Sequence, residues 1–142
     1  MQTGELATGT DRRNFIIDKR LTEIDFGEAE GKRYRELGGV EENFFTAPQF
    51  YKPEKGGESL DKLVQRTRGF MTEQCEKEEN GNILVVSHGT AIHAMLITLR
   101  GQTLKSLWEE HVGNCDCFVF EKKAGKLTVL DNEKISVDGE RI

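Results

Sequence analysis

With 142 residues, the chain is the size of one domain and can bury a real core. Hydrophobic residues make up 36% and charged residues 32%, and no apolar run approaches the roughly 20 residues of a membrane helix. The formal charge of −5 comes from interspersed acids and bases, which argues against a broad nucleic-acid face but leaves room for a local anion pocket.

Met1-Gln2-Thr3-Gly4-Glu5 has neither a basic region nor an apolar stretch, so it does not read as a secretory signal. Glu5-Leu6-Ala7 reads as the end of a helix with Gly9 as its stop. Phe15-Ile16-Ile17 is a short apolar run with the character of a strand. Leu21 to Gly31, rich in acids and glycine, reads as a loop, and Lys32 to Leu37 as a short helix ended by Gly38-Gly39. Residues 40–58 hold both prolines, Pro48 and Pro53, and read as a long irregular segment of the kind that covers active sites. Its Phe44, Phe45, Phe50 and Tyr51 suit a stacking surface, the cover of a pocket or ordinary packing.

Ser59 is placed to cap a helix with Asp61 in its first turn. Leu60, Leu63, Val64, Thr67, Phe70 and Met71 recur at helical spacing and predict a core-facing stripe, with Asn80-Gly81 closing the helix. Ile83 to Val86 is continuous and aliphatic, as in a strand buried on both faces. A second helix is expected over Ala91 to Arg100, and a shorter one over Leu104 to Glu110. Cys115 to Glu121 and Lys126 to Leu130 read as strands joined at Ala124-Gly125. Strands at about 83–87, 115–121 and 126–131 in one sheet, with helices near 59–79 and 91–100 packed on it, make an α/β fold. A central parallel strand needs a partner, however, and no second run is as strong as Ile83–Val86. The three cysteines, Cys75, Cys115 and Cys117, give neither a disulfide framework nor a zinc site, and the expected compartment is a reducing cytoplasm. As strand residues, Cys115 and Cys117 would share one face in the core.

The strongest chemical signal is Ser87-His88-Gly89-Thr90, where a buried strand turns into a helix. Ligands of open α/β sheets bind at this carboxyl end of the strands, and the helix aims its free N–H groups at the same place, which suits an anion. Gly89 lets the backbone approach a ligand closely. His88 can hydrogen-bond or neutralise a phosphoryl oxygen there. From its residues alone it is as readily a cap or packing residue.

Four stretches, in order, resemble the phosphoglycerate-mutase-like histidine phosphatases, of the broad-specificity or α-ribazole phosphatase type. Leu84 to Leu96 (LVVSHGTAIHAML) is similar to the family's second histidine motif. Arg20 to Gly31 (RLTEIDFGEAEG) resembles its glutamate-bearing segment, Gly56-Gly57-Glu58-Ser59 a common helix start, and Met1-Gln2-Thr3-Gly4-Glu5 the end of a motif in which arginine precedes a QT pair. The resemblance implies a three-layer sandwich, with a mostly parallel sheet covered by helices on both faces. It implies that His88 holds the phosphoryl group, that Glu23 protonates the leaving oxygen, and that Gly89 and Thr90 edge the phosphate pocket. It gives Asn114 a pocket role as a further candidate. From its residues alone, Glu23 would be a surface loop carboxylate.

The same resemblance exposes a departure. The family's nucleophile stands in an arginine–histidine–glycine motif on the first strand. The three histidines here are His88, His93 and His111, and none has arginine before it and glycine after it. The expectation is therefore one domain over residues 1–142 that lacks the first strand, the nucleophile and two pocket arginines. The resemblance implies a phosphomonoesterase acting on a small phosphorylated metabolite through a phosphohistidine, with mutase chemistry disfavoured by the short segment between Leu37 and Ser59. The alternative is a non-catalytic phosphate-binding remnant or truncated gene product. No cofactor and no metal are expected, because His88 and His93 are five apart and Glu109-Glu110-His111 lacks a second ligand at usable spacing. Neither nucleic acid nor membrane is an expected partner, and a homodimer is left open.

Overall fold

The computed structural model describes residues 2–32, 40–77 and 81–130 (of 40–42 the backbone alone). Among the described residues four helices form: α1 (Gln2–Thr8), α2 (Val40–Thr46), α3 (Leu60–Glu76) and α4 (Gly89–Leu99). Single 3-10 turns form at Arg12–Asn14, Lys19–Leu21, Gly27–Ala29, Pro48–Phe50 and Leu104–Ser106. A two-stranded antiparallel hairpin, β1 (Phe120–Lys123) and β2 (Lys126–Val129), follows, with Phe120 opposite Val129.

The long helix starts where its sequence places it. The Ser59 hydroxyl accepts the Lys62 N–H at 3.3 Å, and Asp61 puts a negative charge in the first turn. Leu60, Leu63, Thr67, Phe70 and Met71 are buried along one face. Thr67, the polar member of the stripe, satisfies its hydroxyl by donating to Leu63 O at 2.9 Å. The helix ends at Glu76, short of Asn80-Gly81. Lys122 of β1 reaches across and donates its ammonium to the carbonyls of Gln74 and Lys77, meeting the exposed acceptors of the last turn.

α4 is buried nearly all round, through Thr90, Ala91, His93, Ala94, Met95, Leu96 and Ile97. It therefore needs neighbours on several sides. α3 packs on one side, with Leu60 and Leu63 meeting Ala91, Ala94 and Ile97 in a cluster that includes Ile24, Phe44 and Leu107. Phe70, Met71 and Met95 form a second cluster, with Val85 and Leu127 against it. The aromatics of 40–58 are resolved by this packing. Phe44, 2% exposed, meets Phe26, Phe45, Tyr51 and Trp108 at ring separations of 4.9–5.3 Å. It is core, whereas Phe45 and Phe50 remain exposed. The segment read as irregular contains α2 and the 3-10 turn at Pro48–Phe50.

The expected sheet is only partly present. Ile83 to Val86 runs without strand pairing among the described residues, and Ile83 and Leu84 are 60% and 55% exposed. Phe15 to Ile17 is likewise unpaired, with Ile16 97% exposed. Such runs become strands only when another backbone takes their N–H and C=O groups, and the described residues provide none. Cys115 is not in a strand either. It has φ +66 in an exposed turn, so it does not share a face with Cys117, and β1 begins at Phe120. The expected helix over 32–37 with its glycine stop lies, beyond Lys32, outside the described residues.

The hairpin turn is as expected, with φ +48 at Ala124 and +72 at Gly125. Both central residues being left-handed is the type I′ requirement, which Asn-Gly meets better than Ala-Gly. Ala124→Asn is expected to raise stability by about 0.5–1 kcal/mol, read as a higher urea midpoint at unchanged slope.

Candidate active site

Glu23 sits in an extended stretch directly after the turn at Lys19–Leu21. Its carboxylate crosses to the head of α4. Oε2 accepts the Thr90 N–H at 3.0 Å, and Oε1 accepts the Ala91 N–H at 3.2 Å and the Ile24 N–H at 2.9 Å. The first N–H groups of a helix have no partner within it, and the positive end of the helix favours a carboxylate there. His88, the residue at the cap position, makes no side-chain cap bond of its own; Glu23 supplies the cap instead. His88 is exposed, so its ring is available to solvent. Glu23, His88, Gly89 and Thr90 thus lie together at one helix end, although Glu23 and Thr90 are 67 apart in sequence.

Among the described residues nothing demands glycine at 89. A Cβ there would meet Glu23 Oε2 at 3.8 Å, an ordinary contact. The Thr90 N–H, in contrast, is taken by Glu23. Asn114 is exposed in the turn before Cys115 and makes no hydrogen bond to Glu23 or His88. His93 is no part of the site. It is buried against Trp108 with ring centroids 4.7 Å apart, and its Nδ1 has no hydrogen-bond partner among the described residues. Burial holds its pKa below the usual histidine range, against the opposing pull of Glu110 and Glu23. His111 is exposed and lies beside Gly113. Among the described residues no group of three or more His, Cys, Asp or Glu side chains is arranged to hold a metal ion.

The loop carrying Glu23 is held from three sides. The Ser87 hydroxyl donates to Leu21 O at 2.8 Å, tying the loop to the residue before His88. Glu58 N–H donates to Asp25 O at 2.7 Å, and Glu28 N–H to Lys55 O at 3.1 Å, zipping the loop to the 55–58 turn. From α3, Arg66 forms a bidentate pair with Glu58 and donates to the carbonyls of Arg20, Thr22 and Glu23. An open groove of about 330 Å³ borders Glu23 here, lined by Asp25, Gly57, Glu58, Lys62 and Arg66 among others; His88 is not one of its walls. Ser87 and Glu58 stand inside motifs already quoted but were not read as site residues, and Arg66 was not singled out at all.

This is an α/β chain that brings a carboxylate to the helix head at which His88 stands. The chain belongs to the histidine phosphatase superfamily (branch 1), which it matches over residues 1–133. It is 29% identical over 124 residues to phosphoserine phosphatase 1 of Hydrogenobacter thermophilus, covering 81% of this chain and 56% of that one. It is 26% identical over 127 residues to the adenosylcobalamin/alpha-ribazole phosphatase of Escherichia coli, covering 86% and 63%. Among solved structures it is similar to Bacillus stearothermophilus YhfR, with a TM-score of 0.80 and 26% identity over 91% of this chain and 66% of that one. The chain therefore spans less than two thirds of the length of each relative. Among the described residues no helix is long and apolar enough to cross a membrane.

Proposed function

We propose that the domain to which this chain contributes hydrolyses small phosphomonoesters through a phosphohistidine, with Glu23 as the acid and His88 holding the phosphoryl group. The observation that carries the reading is the placement of Glu23's carboxylate at the helix head that His88 begins. In the first step a nucleophilic histidine bonds to phosphorus as the ester oxygen leaves, taking a proton from Glu23. In the second, water attacks the phosphohistidine, giving its proton back to Glu23 and releasing phosphate. His88 and the N–H of Gly89 face the phosphoryl oxygens, where preorganised donors stabilise the charge that develops. Thr90 belongs to the pocket through its place beside Gly89, its own N–H being taken by Glu23; Asn114 stays a further candidate.

The nucleophile is not one of these 142 residues in this reading, since no histidine stands between arginine and glycine. The first strand that carries it in the family pairs with Ile83–Val86, completing a three-layer sandwich with a mostly parallel sheet. The exposure of Ile83 and Leu84 supports this. The absent motif also favours a second reading, in which the chain binds phosphate without turnover.

An assay on p-nitrophenyl phosphate separates the two. The chain as given is expected to be essentially inactive. The chain extended by a relative's first strand with its arginine–histidine–glycine is expected to turn over, and His88→Ala in that form to lose about 100- to 1000-fold. Robust turnover by the unextended chain defeats the assignment of the nucleophile. Phosphate binding with no turnover in either form favours the second reading.

A further inference from the structure

Arg66 has five N–H donors, and all five are used. Nε donates to Glu58 Oε1 at 2.7 Å and Nη2 to Glu58 Oε2 at 2.8 Å. Nη1 donates to Arg20 O at 2.7 Å and Thr22 O at 2.8 Å, and Nη2 also to Glu23 O at 3.1 Å. Three carbonyls of a four-residue stretch thus converge on one planar cation, which is rooted in α3 and 19% exposed. Its partner Glu58, 17% exposed, fixes the guanidinium plane by the bidentate pair and grips Asp25 O through its own N–H. Carbonyls gathered in this way turn the chain at Glu23 so that its side chain leaves toward α4.

We propose that Arg66, braced by Glu58, is the positioning residue for Glu23: it sets the backbone from which the carboxylate reaches the amides of Thr90 and Ala91. It touches no reacting atom. Its arrangement requires arginine. A lysine ammonium has three donors on a flexible stem and cannot hold a carboxylate bidentately while meeting three carbonyls. The proposal deepens the reading of Glu23 as acid, yet the geometry it describes is testable without turnover.

The test is an amide-detected NMR pH titration of the chain. The Thr90 and Ala91 amide signals should follow ionisation of the Glu23 carboxyl, and Glu23→Gln should abolish that response, which assigns it. In Arg66→Lys the response should shrink to less than about half. Exchange of those two amides should quicken about five-fold, the equilibrium equivalent of one lost helix cap, while Leu96 and Ile97 later in α4 keep their protection. Glu58→Gln, which keeps an acceptor but loses the charge, should change both amides in the same direction by less, and it serves if Arg66→Lys fails to fold. Arg68→Lys, on the exposed side of the same helix, should change nothing. An undiminished response at Thr90 and Ala91 in folded Arg66→Lys, or in Glu58→Gln if Arg66→Lys fails to fold, overturns the proposal. Unchanged turnover of alkyl phosphates on Glu23→Gln in the extended chain would instead remove the acid role and leave the positioning geometry standing.

Discussion

Gly27→Ala is expected to cost about 3 kcal/mol or more and to pull the Glu23 loop away from α4. Gly27 has φ +59, where any side chain is strained. An added Cβ would lie 2.3 Å from Gly57 N and 2.5 Å from Lys55 O. Both are backbone atoms, so neither neighbour can swing aside. The clash falls between the two segments joined by the Glu28–Lys55 and Glu58–Asp25 hydrogen bonds, and relieving it means parting them. Gly31→Ala provides the comparison. Gly31 has a similar φ of +74, but nothing lies within 4 Å of its added Cβ. It should lose only the conformational part, about 1–2 kcal/mol. Urea unfolding of both variants measures the difference, and equal losses would mean that the 27–57 contact is not rigid.

Glu23→Gln, made in the chain extended by a relative's first strand, is expected to slow hydrolysis of alkyl phosphates by roughly 100- to 10,000-fold. The same change should hardly affect p-nitrophenyl phosphate. An alkoxide is a poor leaving group and needs a proton as the bond to phosphorus breaks, whereas p-nitrophenolate departs as a stable anion. Glutamine can still accept the Thr90 N–H through its amide oxygen, so the helix head stays largely capped and the loss is chemical. Measuring kcat for a series of leaving groups of graded acidity is the check. Equal slowing for all of them would indicate that Glu23 orients the phosphoryl group and does not act as a proton donor.

Periodicity and local turn chemistry were sufficient for what is local in this chain. The stripe from Leu60 to Met71, the Ser59 cap and the left-handed Ala124-Gly125 turn all follow from residues within one or two turns of each other. The strand at Ile83–Val86 did not, because a strand depends on a second backbone and apolar character alone cannot supply it. Phe44 was ambiguous for a related reason: its burial is decided by Trp108, 64 residues away, whose indole N–H donates to Phe44 O. At the site, Glu23 was legible only through a family resemblance, and His88 from its position alone was as readily a cap or packing residue. The carboxylate's grip on the Thr90 amide, and Arg66 behind it, are tertiary facts with no trace in spacing.

The bonds that join the Glu23 loop to the helices behind it are long in sequence. The Thr90–Glu23, Ser87–Leu21 and Arg66–Glu23 contacts span 67, 66 and 43 residues. Closing such large loops comes after local structure in a folding chain, and the most weakly secured segment is the first to open again. The helices can thus outlast the site. An opening of residues 20–27 would dissolve the corner while α3 and α4 stay wound, so the corner can be lost without global melting.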